Sequence, residues 1–150
     1  MNDIEKLLAI ESIKQTKARY FRCLDSKDWQ GLASTFAPDA QMDMREQSRN
    51  PDNLIIGSER IVEFVSGSLQ PLITVHHGHT VEIEFTSDTT ANVILAMEDI
   101  LWRPSDTPGE KPVKYVHGWG HYRETYRNLN GRWLIQTTTL TRLNMEVGSK

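Results

Sequence analysis

The chain has 150 residues, the size of one ordinary domain, and its 38% apolar and 25% charged residues lie outside the disordered range, so one core must hold both the fold and any site. Seventeen Lys and Arg against 20 Asp and Glu give a formal net charge of -3, which offers no global attraction for nucleic acid or an anionic membrane. The single cysteine, Cys23, excludes an internal disulfide scaffold and a Cys-type zinc cluster.

The stretch MNDIEKLLAIESIKQ is charged and amphipathic, with no apolar block ahead of a small-residue cleavage site, and no later segment reaches about 18 unbroken apolar residues. The expectation is a soluble, cytoplasmic protein. From Ile4 to Leu24, the residues Ile4, Leu7, Leu8, Ile13, Tyr20, Phe21 and Leu24 recur at three- and four-residue steps, the stripe of an amphipathic helix. Ser26 or Asp25 is placed to cap a second short helix carrying Trp29, Leu32, Ala33 and Phe36, which Pro38 ends. Gln41 to Arg45 reads as a short strand, and Arg45 to Asn53, polar and containing Pro51, as a loop. A third helix follows Gly57, with Ser58 as N-cap and Ile61, Val62, Phe64 and Val65 turned inward until Gly67.

After Pro71 the texture changes. Ile73 to Phe85, Thr90 to Trp102, Val113 to Tyr126 and Arg132 to Met145 are rich in β-branched and aromatic residues at strand spacing. Ser87-Asp88, the stretch Pro104 to Pro112 and Asn128 to Gly131 separate them as turn formers, the second as a long hairpin connection. Helices followed by long strands, without βαβ alternation, predict an α+β domain in which a strongly curved, mostly antiparallel sheet wraps round N-terminal helices. No repeat, low-complexity tract or linker divides residues 1–150.

Asp25 lies four residues after Phe21, about 40° round the helix, so its carboxylate points toward the apolar side. Burial and the helix C-terminus would both raise its pKa toward that of a general base. The competing reading is that Asp25 only caps the next helix, with Asp28. All five histidines fall on two strands, His76, His77 and His79 on one and His117 and His121 on another. An imidazole paired with a carboxylate is an oriented base. Strict alternation puts His77 and His79 on the face of Val81, Ile83 and Phe85 and turns His76 away, unless a β-bulge at Gly78 shifts the phase; periodicity leaves the two open.

Tyr20 is placed to donate to a substrate oxygen, Arg142 needs an acceptor within an otherwise uncharged stretch, and Trp119, between Gly118 and Gly120, offers a flat apolar wall. His77-x-His79, with Glu84 and His117 or His121, loosely suggests a metal-dependent cupin-like site, against which stands the helical first third of the chain. No phosphate loop, nucleophile elbow or dinucleotide fingerprint is present; the GxG at Gly118 and Gly120 has no following helix.

The segments ARYFRCLDSKDWQGLASTFAPDA, HHGHTVEIEF and GWGHYRETYRNLNGRWLIQTTTLTRLNM together resemble the SnoaL-like branch of the nuclear transport factor 2-like superfamily over nearly the whole chain. That branch includes scytalone dehydratase, hexachlorocyclohexane dehydrochlorinase, bile acid dehydratases and polyketide cyclases. The resemblance implies a conical α+β barrel with a deep apolar cavity and no cofactor. It implies an Asp-His pair at Asp25 and His76, a tyrosine at Tyr20, a late-strand arginine at Arg142 and a second histidine at His121. The catalytic candidates are therefore Asp25, His76, Tyr20 and Arg142, and the substrate-binding ones Trp119, His121 and Phe21, with no metal ligands. The expected activity is a dehydratase-type lyase or isomerase on a hydrophobic cyclic or steroid-like small molecule. The alternatives are a non-catalytic binding or oligomerising domain, and the metal-dependent enzyme. A homodimer or homotrimer is expected, since relatives associate through the exposed face of the sheet.

Overall fold

The computed structural model describes residues 1–105 and 114–149. Helix α1 (Asp3–Ser26) opens on a capping box in which the Asn2 side chain accepts from Glu5 N at 2.9 Å and the Glu5 carboxylate accepts from Asn2 N at 2.7 Å. It ends at Lys27, which takes the left-handed conformation at φ 62° and returns its N–H to Leu24 O. Its buried face carries Ile13, Tyr20 and Leu24, joined by Thr16 and Lys17. Ile4, Leu7 and Leu8 do not share it. They lie roughly 180° round the helix from Ile13, Tyr20 and Leu24 and are 65–70% exposed, because three- and four-residue steps preserve a face only when the register is kept throughout.

Neither Ser26 nor Asp25 caps α2 (Trp29–Ala33). The cap is Asp28, whose Oδ1 accepts from Gly31 N at 2.8 Å, and α2 stops well before Pro38, which lies inside strand β1 (Phe36–Asp43). The expected loop contains one helical turn, α3 (Arg45–Ser48), before β2 (Leu54–Ile56). Helix α4 (Ser58–Leu69) is preceded by Gly57 at φ 100°, a left-side conformation open to glycine, so Ser58 is its first residue rather than its cap, and it continues two residues past Gly67.

Strand β3 (Ile73–Phe85) matches its expected limits, while β4 (Thr90–Arg103), β5 (Lys114–Leu129) and β6 (Arg132–Ser149) reach beyond theirs. The connection expected over Pro104 to Pro112 lies, from residue 106, outside the described residues. Among the described residues the six strands form one sheet in the order β2-β1-β6-β5-β4-β3, antiparallel throughout except for the parallel pairing of β1 with β6. It is curved but unclosed, with β2 and β3 as its edges. Helix α1 packs against β3 and β6 and α4 against β1, so the concave face is the inner one. Along β4 and β5 the inner positions are Val93, Leu95 and Met97, and Tyr122 and Tyr126, all at most 6% exposed. Each such side chain contributes roughly 1.5–3 kcal/mol on leaving water.

On β3 the pairing runs from Gly78 opposite Met97 to Val81 opposite Leu95, three residues against two. This is a bulge, and it changes the phase of the strand. Thr74 and His76 face inward before it and Val81, Ile83 and Phe85 after it, while His77 and His79 are exposed. Gly78 sits at the crossing point because a Cβ there would lie 2.8 Å from the Phe21 ring.

Candidate active site

A cavity of about 210 Å³ lies between the inner face of the sheet and helices α1, α3 and α4. Its walls include Tyr20 and Leu24 from α1, His76 from β3, Asp99 from β4, Tyr122 from β5, and Arg142 from β6. The sheet supplies its charged and imidazole groups, His76, Asp99 and Arg142. Most of the remaining wall is apolar, with Met42, Phe64 and Val65 among it.

Asp25, in the last turn of α1, faces the sheet. Its Oδ1 lies 2.6 Å from His76 Nδ1 and accepts from Thr74 Oγ1 at 2.9 Å, while Oδ2 accepts from the His76 backbone N–H at 2.9 Å. Lys27 Nζ donates in turn to Thr74 Oγ1 at 2.8 Å. Burial pushes the Asp25 carboxyl up, but the hydrogen bonds from the His76 ring and backbone and from Thr74 outweigh it and leave the group below the ordinary 3.8. This reverses the expected direction. The orphan carbonyls of the helix end are outweighed by donors from the neighbouring strand. An ionised carboxylate can only accept, so His76 Nδ1 carries the hydrogen and, in the neutral ring, Nε2 carries the lone pair.

The depressed Asp25 value has a consequence for stability. A carboxylate with its folded pKa below its unfolded one stabilises the fold above the ordinary value, and this contribution is lost as pH falls through the folded one. In thermal melts, the gap between wild type and Asp25→Asn is expected to be constant above about pH 5 and to narrow below it. A gap unchanged down to pH 3 would contradict the assignment.

The His76 side chain is 4% exposed and its ring stacks on Phe21, with centroids 6.1 Å apart and planes 12° from parallel. Its Nε2 is 3.9 Å from Asp99 Oδ2. Asp99 holds Arg142 through both oxygens, Nη1 to Oδ1 at 2.6 Å and Nη2 to Oδ2 at 2.7 Å. This is the acceptor that Arg142 requires. Gly118 makes room for the pair, since a Cβ there would collide with Arg142 Nη1 and come within 2.6 Å of Asp99 Oδ1. Tyr20 and Tyr122 meet edge to face at 6.0 Å, and burial raises both hydroxyls above the ordinary range, keeping them neutral donors.

The structure thus gathers His76, Tyr20 and Arg142 round one cavity, with Asp25 behind His76 and bonded to its ring. It does not bring Trp119 or His121 there. Inner positions on β5 are the even-numbered ones from Gly118 to Tyr126, so Trp119 and His121 lie on the outer face, where Trp119 packs on His117 at 4.0 Å. Phe21 lies behind His76 rather than in the cavity wall. His77, His79 and His117 cluster near Glu98 on the outer side, with His117 Nε2 2.5 Å and His79 Nε2 3.7 Å from its carboxylate. No group of three or more His, Cys, Asp or Glu among the described residues is arranged to hold a metal, and the α+β architecture is not a cupin sandwich. Sequence reasoning missed Asp99 and Tyr122. Both were open to it: Asp99 shares strand parity with Val93, Leu95 and Met97.

A curved, unclosed sheet packed on N-terminal helices round a cavity is the cone fold of the nuclear transport factor 2-like superfamily. The chain belongs to the SnoaL-like domain family, whose model matches residues 5–139. Similar solved structures include a Novosphingobium aromaticivorans protein provisionally assigned as a scytalone dehydratase, with TM-score 0.81 and 22% identity over 97% of this chain and 91% of that one. A type 2 hexachlorocyclohexane dehydrochlorinase, LinA, gives TM-score 0.82 and 17% identity over 99% and 94%. The LinA-type3 dehydrochlorinase of Novosphingobium barchaimii LL02 gives 0.80 and 16% over 97% and 94%. At these identities the likeness is one of fold. No helix among the described residues is long and apolar enough to cross a membrane.

Proposed function

We propose that this protein is a cofactor-independent lyase or isomerase of the dehydratase type, acting on a hydrophobic, cyclic, uncharged small molecule. The observation that carries the reading is the 2.6 Å bond between Asp25 and His76 Nδ1, which leaves Nε2 as the basic atom at the cavity wall. Nε2 takes a proton from a carbon beside a substrate carbonyl, and Asp25 stabilises the imidazolium that forms. The electron pair of the broken C–H bond becomes a C=C bond as the neighbouring C–O bond breaks. The departing hydroxide takes the proton back from the imidazolium and leaves as water, so atoms and charge balance.

The Tyr122 and Tyr20 hydroxyls, the first donating to the second, present one neutral donor, Tyr20 O–H, to stabilise the developing enolate oxygen. Arg142 has five N–H donors, of which Asp99 and the Met97 sulfur do not take all, so it can join them. At the cavity wall the Arg142 guanidinium is already neutralised by the Asp99 carboxylate, which leaves no free cation among the described lining residues to hold an anionic substrate. Its volume of about 210 Å³ is under the roughly 300–1,000 Å³ usual for ligand pockets, which favours a single ring over a steroid.

The test is proton NMR in D2O on a panel of neutral single-ring β-hydroxy ketones. Expected are deuterium exchange beside the carbonyl and growth of the conjugated alkene. A panel that neither exchanges nor eliminates, while binding in the cavity, would identify a non-catalytic binding domain instead.

A further inference from the structure

A second concavity, of about 520 Å³, lies on the other side of α1, between that helix and the bulged segment of β3. This volume is within the range of small-molecule sites, and it is larger than the cavity that holds His76. Phe21, Val81 and Leu95 contribute an apolar floor. Lys14, Lys17 and His79 also line it, and no Asp or Glu does. In a chain of net charge -3 this is a local inversion of sign.

The three basic groups are not equivalent. Lys17 is spent on Glu124 at 2.6 Å and lies buried behind the floor. His79 stands 3.7 Å from the Glu98 carboxylate at the outer rim. Lys14 is exposed, on the helical turn above the opening. An apolar body laid over Phe21, Val81 and Leu95 would carry a head group at Lys14, where an anion finds a cation.

We propose that this groove is a second ligand site, separate from the cavity, for an anionic amphiphile such as a medium-chain carboxylate. The charge of its lining separates it from the catalytic cavity, where Asp99 and Arg142 neutralise one another. The two sites share a wall, because Phe21 forms the floor of one and stacks on His76 of the other. An occupant of the groove is therefore in contact with the ring that backs the imidazole.

The test is calorimetric titration of the full chain with decanoate, decanol and decyltrimethylammonium below their micellar concentrations, on wild type, Lys14→Glu, Val81→Trp and Ser68→Trp. Val81→Trp fills the groove; Ser68→Trp narrows the cavity and leaves the groove alone. Expected is one decanoate per chain, bound at least tenfold more weakly by Lys14→Glu and by Val81→Trp and unchanged in Ser68→Trp. Decanol and the ammonium amphiphile bind at least fivefold more weakly than decanoate. Lys14→Glu is a surface change, so it reports even where Val81→Trp fails to fold. Absence of saturable decanoate binding overturns the proposal, as does binding lost in Ser68→Trp but kept in both groove variants. A change of oligomeric state in Val81→Trp, without decanoate binding, would assign the groove to a second copy of the chain. None of these readouts uses turnover, so they stand apart from the proposed activity.

Discussion

His76→Asn is expected to lower turnover by roughly 10²–10⁴-fold, the usual contribution of a positioned general base, while the protein still folds. The ring has three relations in the structure: Nδ1 to Asp25, its stack on Phe21, and Nε2 toward Asp99. Asparagine replaces the first and abolishes the base. Asp25→Asn should act differently. It keeps the size of the side chain but only one acceptor oxygen, and with that oxygen on the His76 backbone N–H its NH2 group faces Nδ1, so the ring loses its tautomer and its counter-charge together. A loss of similar order is expected. The measurements are initial rates on whichever neutral single-ring substrate the NMR panel identifies, with circular dichroism melts as the folding control. If both variants turn over within threefold of wild type, the pair is structural and the mechanism is wrong.

The sheet was legible because β-branched and aromatic residues crowd residues 73–145, and a strand pattern there has no helical competitor. The inward turn of His76 was not, since it depends on one extra residue beside one glycine and alternation cannot see a phase shift that it must itself assume. Trp119 shows the reverse problem. Gly118 and Gly120 do mark close approach, but to Arg142 and to the Thr141 backbone on the inner side, and alternation then sends the tryptophan between them outward. Anchoring the count on the buried Tyr122 and Tyr126 separates the two faces. The apolar stripe of α1 failed at its start because Ile4, Leu7 and Leu8 satisfy the local spacing without facing the same way as Ile13. Nothing in the sequence marks Lys17: a lysine on a helix reads as solvated, and only the distant Glu124 explains its burial.

That burial underlies the second large effect. Lys17 and Glu124 have side chains 8% and 0% exposed, their charges 2.6 Å apart, with Tyr126 donating to Glu124 Oε2 and Thr138 to Oε1, both at 2.9 Å. The ammonium also lies over the Tyr122 and Tyr20 rings, at 3.4 and 4.1 Å from their centroids. Burial lowers the Lys17 pKa below its ordinary 10.5 and Glu124 opposes that shift, so the pair balances desolvation against attraction. Removing one partner removes only the attraction. Lys17→Met fills the space but strands a carboxylate in the core, and is expected to cost about 3–5 kcal/mol in urea unfolding. Lys17→Met with Glu124→Gln should recover most of the loss, because a neutral amide is cheaper to bury and its oxygen accepts from one of the Tyr126 and Thr138 hydroxyls while its NH2 donates to the other. The coupling in this double-mutant cycle isolates the charge from the packing. A double variant no more stable than Lys17→Met would mean that the lysine acts through its contacts with the two tyrosine rings, and the cavity wall formed by Tyr20 and Tyr122 would then depend on a cation rather than on an ion pair.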